Sequence, residues 1–135
     1  MSALVLVALA AAGCGSGKDY ANKDRPAVPI VITASITPNR ALASPHEFGA
    51  GPITLVIANE TAASHRVTLR SDEAGGSTSA LRQETAPINP HDTASLKADL
   101  AQGTYVIEVD GSGIRPVRLD VGPPRKSAQD KLLLP

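Results

Sequence analysis

Few residues in this 135-residue chain are of types that do chemistry. There is one cysteine, Cys14, and there are three histidines, His46, His65 and His91, the last followed directly by Asp92. A lone cysteine closes no disulfide within its own chain, so no internal staple is available. Imidazole and carboxylate groups suit zinc or oxidised copper, so the histidines and Asp92 are the residues to weigh as metal ligands. The usual catalytic patterns, Gly-x-Ser-x-Gly, His-Glu-x-x-His and a phosphate-cradling Gly-Lys-Ser, do not occur. Gly15-Ser16-Gly17-Lys18 has glycines and a lysine but precedes no helical pattern. The expectation is a protein that is not an enzyme and carries no cofactor. Lys plus Arg and Asp plus Glu number 13 each, so no net field draws the chain to nucleic acid.

The surroundings of Cys14 give it a use. Residues 4–12 are an apolar run of Leu, Val and Ala, too short for the roughly 20 helical residues that cross a bilayer. Such a run reads as the apolar part of an export signal. Leu9-Ala-Ala-Ala-Gly-Cys14 resembles the lipobox of bacterial lipoproteins, in which the cysteine is acylated and becomes the mature N-terminus. That resemblance implies a signal peptide over 1–13 and a lipid, palmitate among its chains, on Cys14. It also implies anchorage to the cell membrane on the extracytoplasmic side of the envelope. Residues 14–27 are small, polar and charged and contain Pro26, as a tether would be.

The elements that position the histidines follow from period-two alternation. Ile30, Ile32, Ala34 and Ile36 share one strand face. Pro29 lacks a donor, so that strand lies at an edge or begins just after it. Leu42 starts a short strand, and residues 45–52 read as a loop holding one buried aromatic, Phe48. Residues 53–58 and 67–69 alternate again, with His65 in the polar connection between them. Asn59-Glu60-Thr61 matches a glycosylation acceptor but is expected to be a turn. Residues 80–85 read as a short edge strand or one helical turn. Pro87-Ile88-Asn89-Pro90-His91-Asp92 is a rigid turn, and Ala94, Leu96, Ala98 and Leu100 alternate after it. Ala101-Gln102-Gly103 is expected to close a hairpin into 104–109, and 110–113 a second turn into a last strand over 117–121. No helical period exceeds two turns, so the expected fold is an all-β Greek-key sandwich over 28–121. The tail, 122–135, ends in Leu132-Leu133-Leu134 and is expected to be flexible or loosely docked.

Ala50-Gly51-Pro52-Ile-Thr-Leu-Val-Ile-Ala-Asn59, His65 opening a strand, the proline turn before Thr93, and Gly103-Thr104-Tyr105 together resemble a cupredoxin domain of the plastocyanin and azurin type. In that family the Asn-ended strand leads to a metal-binding histidine, and the Gly-Thr-Tyr strand leads to a cysteine, a second histidine and usually a methionine. The resemblance places the copper cysteine at or near Val109, where this chain has none, and its one methionine is Met1. Without thiolate a blue electron-transfer site does not form. The implied protein is an envelope lipoprotein with a non-catalytic, copper-free binding or structural module, held by its lipid and facing a possible envelope protein partner. The alternative is metal handling by His65, His91 and Asp92. The expected hairpin sets the residues before Thr93 at the end that holds Val109 and Asp110. The resemblance sets His65 there as well, and His46 is expected at the opposite end. Electron transfer through a borrowed cofactor has no residue to support it.

Overall fold

A computed structural model describes residues 25–72 and 80–127. Cys14, the signal-like run, most of the tether and the terminal leucines lie outside these residues. The described chain holds eight strands and no helix. β1 (Ile30–Thr37) begins directly after Pro29, as the missing donor requires, yet it is not an edge. It pairs antiparallel with β2 (Arg40–Ser44) and parallel with β3 (Glu47–Asn59).

β3 organises the sandwich. Its first residues, 47–50, pair parallel with β8 (Val117–Pro124) in one sheet. Its remainder, from Gly51, pairs with β1 and antiparallel with β6 (Thr93–Leu100) in the other. The expected loop over 45–52 is therefore largely strand, and Phe48 is half-buried against the core. Two glycines and a proline disguised it in the sequence. Gly51, at φ 131°, and a register shift at Gly49/Ala50 let one strand leave a sheet and join the next.

The second sheet is completed by β7 (Gly103–Val109), β4 (Val67–Ser71) and β5 (Arg82–Glu84), in the order β3-β8-β7-β4-β5. β5 resolves the ambiguity over 80–85 as an edge strand. Two expectations are corrected. β6 and β7 form no hairpin: β6 pairs with β3 in one sheet and β7 with β4 and β8 in the other. Ala101-Gln102-Gly103 is thus a corner between sheets, fixed by the Tyr105 hydroxyl donating to the Ala101 carbonyl at 3.1 Å. A short glycine-bearing link between two alternating runs reads the same for a hairpin and a corner. The strand expected to end at Val121 continues to Pro124, and Arg125 to Ser127 stay attached, with Ser127 buried.

The core lies between the sheets. Ile32, Leu55 and Ile57 from one side meet Val67, Leu69, Ile107 and Leu119 from the other, all less than 2% exposed. Burial of each such side chain stabilises by about 1.5–3 kcal/mol. The outer face of the β4–β7–β8 sheet is laced with ion pairs, Arg70–Glu108 at 2.6 Å and Arg118–Asp72 at 2.8 Å among them.

Arg125 locks the crossing of β3. Its Nε donates to the Gly49 and Ala50 carbonyls at 3.0 and 3.3 Å, Nη2 to Pro52 at 2.6 Å and Nη1 to Val28 at 2.8 Å. A guanidinium presents its donors in a rigid planar fork, which is what several carbonyls at fixed directions require. The chain leading into β1 and the chain leaving β8 are thereby held together at one end of the sandwich.

Candidate functional site

The opposite end carries every residue that the sequence points to as a possible ligand except His46. It is built around Asn59, the last residue of β3, which is 1% exposed. Its Nδ2 donates to the carbonyls of Ala63, Ile88 and Asn89 at 2.7, 3.0 and 3.2 Å. Its Oδ1 accepts from the Thr61 amide at 3.0 Å and the Thr61 hydroxyl at 2.8 Å. Its backbone N–H donates to Asp92 and its carbonyl accepts from His91, both at 2.9 Å. A buried amide costs stability unless every donor and acceptor is used, and here all are. Asn59-Glu60-Thr61 is accordingly a turn, with an Asx-type bond from Thr61 back to Asn59. The network ties the 60–66 connection to the 85–92 connection, and both of these position the histidines.

His65 exchanges two backbone hydrogen bonds with Ile88, at 3.1 and 2.8 Å. Its ring is 12% exposed and lies along the Asp110 turn. Nδ1 is 2.9 Å from the Asp110 carbonyl. A carbonyl only accepts, so Nδ1 carries a proton and donates. The Asp110 carboxylate lies 3.4 Å from the same Nδ1 and accepts the Arg66 amide at 2.7 Å. The ring also packs on the turn itself, since a Cβ added to Gly111 would stand 3.4 Å from Cε1. Gly111 has φ 116°, a conformation in which only glycine is unstrained.

Val109, where the cupredoxin resemblance places the copper cysteine, faces the core at 8% exposure and pairs with Val67. His91 and Asp92 belong to the Asn59 network through their backbones, and their side chains are exposed. His91 has φ 59°, as suits a tight turn after Pro90. The Asp92 carboxylate accepts the Thr93 amide at 2.8 Å. His46 lies 4.0 Å from Glu47, where β3 starts beside β8, away from His65. Among the described residues no group of three or more His, Cys, Asp or Glu side chains is placed to hold a metal ion. His65, His91 and Asp92 share an end of the sandwich but not a coordination shell.

A type 1 copper centre does not fit these residues. The domain has no cysteine to supply thiolate. Two residues that shape this end were not read from the sequence as its organisers, Asn59 and Asp110. The signal for the first was present, since an Asn ending an apolar alternation two residues before a Thr is the pattern of an Asx turn. For the second there was none, because only the fold brings Asp110 to His65.

Two ionisable groups outside this end are perturbed. The Arg70 guanidinium, hydrogen-bonded to Glu108, holds that carboxyl below its ordinary range. Burial pushes the Tyr105 phenol up, against the opposing effect of its bond to Ala101, and the charge of Asp99 adds to the rise.

Comparison with known proteins agrees with this architecture. No protein-family model matches the chain. No curated protein sequence matches it. Among solved structures it is similar to auracyanin A, a "blue" copper protein from the green thermophilic photosynthetic bacterium Chloroflexus aurantiacus. The two share 18% identity over 70% of this chain and 100% of that one, with a TM-score of 0.53. Auracyanin B gives 17% identity over 74% of this chain and 96% of its own, with a TM-score of 0.52. Identity this low speaks to the fold alone. The chain is an all-β sandwich of cupredoxin fold, without the copper ligands of that fold in its described residues.

Proposed function

We propose that the protein is a bacterial cell-envelope lipoprotein, anchored through a lipid on Cys14, whose cupredoxin-fold domain is a non-catalytic binding or structural module that carries no copper. The observation that carries this reading is the chemistry at the His65 end. Val109, at or near which the resemblance places the sulfur ligand, is a buried apolar side chain with no donor atom to offer a metal. The buried amide of Asn59 closes the two loops on each other where a metal centre would need open ligands. Such an end is built for a fixed surface shape.

Membrane anchorage is supported by the lipobox-like run before Cys14. Arg125 holds Val28 at the end of the sandwich remote from His65, so a tether over 14–27 approaches from there. The loops around Asn59 and Asp110 then face away from the bilayer, toward an envelope protein partner.

Two measurements test the reading. Mass spectrometry of the mature protein isolated from membranes is expected to find an acylated N-terminal Cys14, and a free polypeptide beginning elsewhere refutes the anchor. Calorimetric titration with copper(II) and with zinc is expected to give the same heats for the wild type and His65→Ala at micromolar metal. Stoichiometric binding that His65→Ala abolishes overturns the copper-free module in favour of metal handling.

A further inference from the structure

We infer that the protein forms a two-fold dimer by pairing β6 with β6 of a second copy. This inference rests on the sheet edges and not on the reading of the His65 end. The direction of each β6 backbone group follows from the Asn59 bonds. The Asn59 N–H donates to Asp92 and its carbonyl accepts from His91, so its backbone groups face the β6 side of β3. Alternation then turns Ile57, Leu55 and Ile53 the same way, onto Ala94, Leu96 and Ala98. Pro52, which has no N–H, falls opposite Asp99 in the unbonded position, as it must. Thr93, Ser95, Lys97 and Asp99 therefore direct their N–H and C=O groups away from the sheet. The Asp92 carboxylate takes the Thr93 amide. Ser95, Lys97 and Asp99 are exposed, and among the described residues their outward backbone groups have no partner.

The other sheet edges are blunted. β2 is short and bridged by Arg115, whose carbonyl accepts the Ala41 amide at 2.8 Å. β5 has three residues. Along the first part of β3 the Arg125 side chain donates to the Gly49 and Ala50 carbonyls. β6 runs for eight residues with neither proline nor a register shift against β3. An edge of this length is a template for another strand.

Its charges select the occupant. An antiparallel pair centred on Ala98 joins residues 96–100 of the two copies and sets Lys97 of each opposite Asp99 of the other, both on the outer face. It also makes 97 and 99 a hydrogen-bonded pair, since each turns its backbone outward. A two-fold axis centred on Lys97 or on Asp99 would instead set like charges face to face. Self-pairing about Ala98 satisfies the isologous rule that a contact in one direction is repeated in the other. The product is a continuous sheet in the order β2-β1-β3-β6-β6-β3-β1-β2.

The test is sedimentation equilibrium on the whole chain carrying Cys14→Ser, so that neither lipid nor an intermolecular disulfide joins copies. A reversible monomer–dimer equilibrium is expected, with Lys97→Asp and, separately, Asp99→Lys raising its dissociation constant at least tenfold. The double variant Lys97→Asp/Asp99→Lys is expected to return it to within about threefold of the parent, since opposite charges again face each other. Circular dichroism should be unchanged throughout, both side chains being exposed. A parent that stays monomeric to millimolar concentration overturns the proposal and leaves the edge to another chain. A dimer indifferent to either single reversal, or a folded double variant that stays monomeric, overturns it as well.

Discussion

Replacing Arg125 by Ala tests how the two sheets are joined, because one side chain holds the crossing of β3. The guanidinium reaches four backbone carbonyls, at Gly49, Ala50, Pro52 and Val28. Hydrogen bonds from a charged donor each contribute about 1.5–3 kcal/mol net. Arg125 is half-buried and the freed carbonyls regain water, so the lower figure applies, and its three donor groups sum to about 4.5 kcal/mol. Freeing the side chain returns about 1.5–2 kcal/mol of rotamer entropy, which leaves a loss of about 2.5–3 kcal/mol. For a domain near 100 residues that lowers the midpoint of thermal unfolding by about 10–20 °C. The assay is thermal and urea unfolding followed by circular dichroism on the whole chain carrying Cys14→Ser. Arg125→Lys should recover about half the loss, because an ammonium head lacks the planar fork. Gly49→Ala supplies a second arm. Its Cβ would stand 2.6 Å from Arg125 Cγ and 2.9 Å from the Pro123 carbonyl, so it should destabilise the parent. Combined with Arg125→Ala its cost should be less than additive, since only the carbonyl clash remains. A midpoint shift under about 3 °C for Arg125→Ala, or a Lys variant equal to the parent, would refute the reasoning.

Asn59→Asp replaces a donor to three carbonyls with an acceptor, and is expected to cost about 3 kcal/mol or more in urea unfolding, exceeding Asn59→Ala. Acid stability should depend on the Arg70–Glu108 pair. The folded pKa of Glu108 is depressed, so its contribution is present above the ordinary carboxyl pKa and is lost as pH falls through the folded value. Arg70→Met should therefore flatten the acid limb of a stability-against-pH profile while leaving the alkaline limb alone. The alkaline limb belongs in part to Tyr105, whose raised phenol pKa means that the folded state holds its proton more tightly. Stability from it is complete below the ordinary phenol pKa and declines as pH rises through and above that value. In a Tyr20→Phe background, ultraviolet titration should show Tyr105 ionising late, and ionisation at the ordinary value would remove the claim.

Strand content was legible in the residues because one face of each strand is buried. Ile32, Ala34 and Ile36, or Leu96, Ala98 and Leu100, announce themselves by alternation, and their burial follows it. Connectivity between sheets was not legible. Alternation says which face of a strand is apolar but not which neighbour covers its edge, so the corner at Ala101-Gln102-Gly103 read as a hairpin. The crossing strand was hidden for a related reason. Gly49, Gly51 and Pro52 are the residues a turn uses, and here they let a strand change sheets under the hold of an arginine 73 residues away. That arginine sits in a stretch the composition marked as tail. At the other end, Asn59 and His65 stood out by type, whereas their partners did not, since Asp110 and Ile88 reach them only through the folded backbone.

The two ends of the sandwich solve one problem with different chemistry. Wherever a sandwich turns its chain between sheets, backbone groups leave the ladder and must find other partners. At the β3 crossing a cation supplies donors to orphaned carbonyls, through Arg125. At the His65 end a neutral amide supplies donors and acceptors together, through Asn59, and an imidazole N–H caps one further carbonyl. A metal centre could itself have tied the loops at that end, by drawing side chains from several strands to one ion. Hydrogen bonds hold the same loops here, so the end keeps its shape without depending on a metal. Removing Asn59 should then loosen His65 and the Asp110 turn together, which amide hydrogen exchange at Arg66 and Asp110 would register as a joint loss of protection. Independent loss at one of the two would show that the loops are held separately.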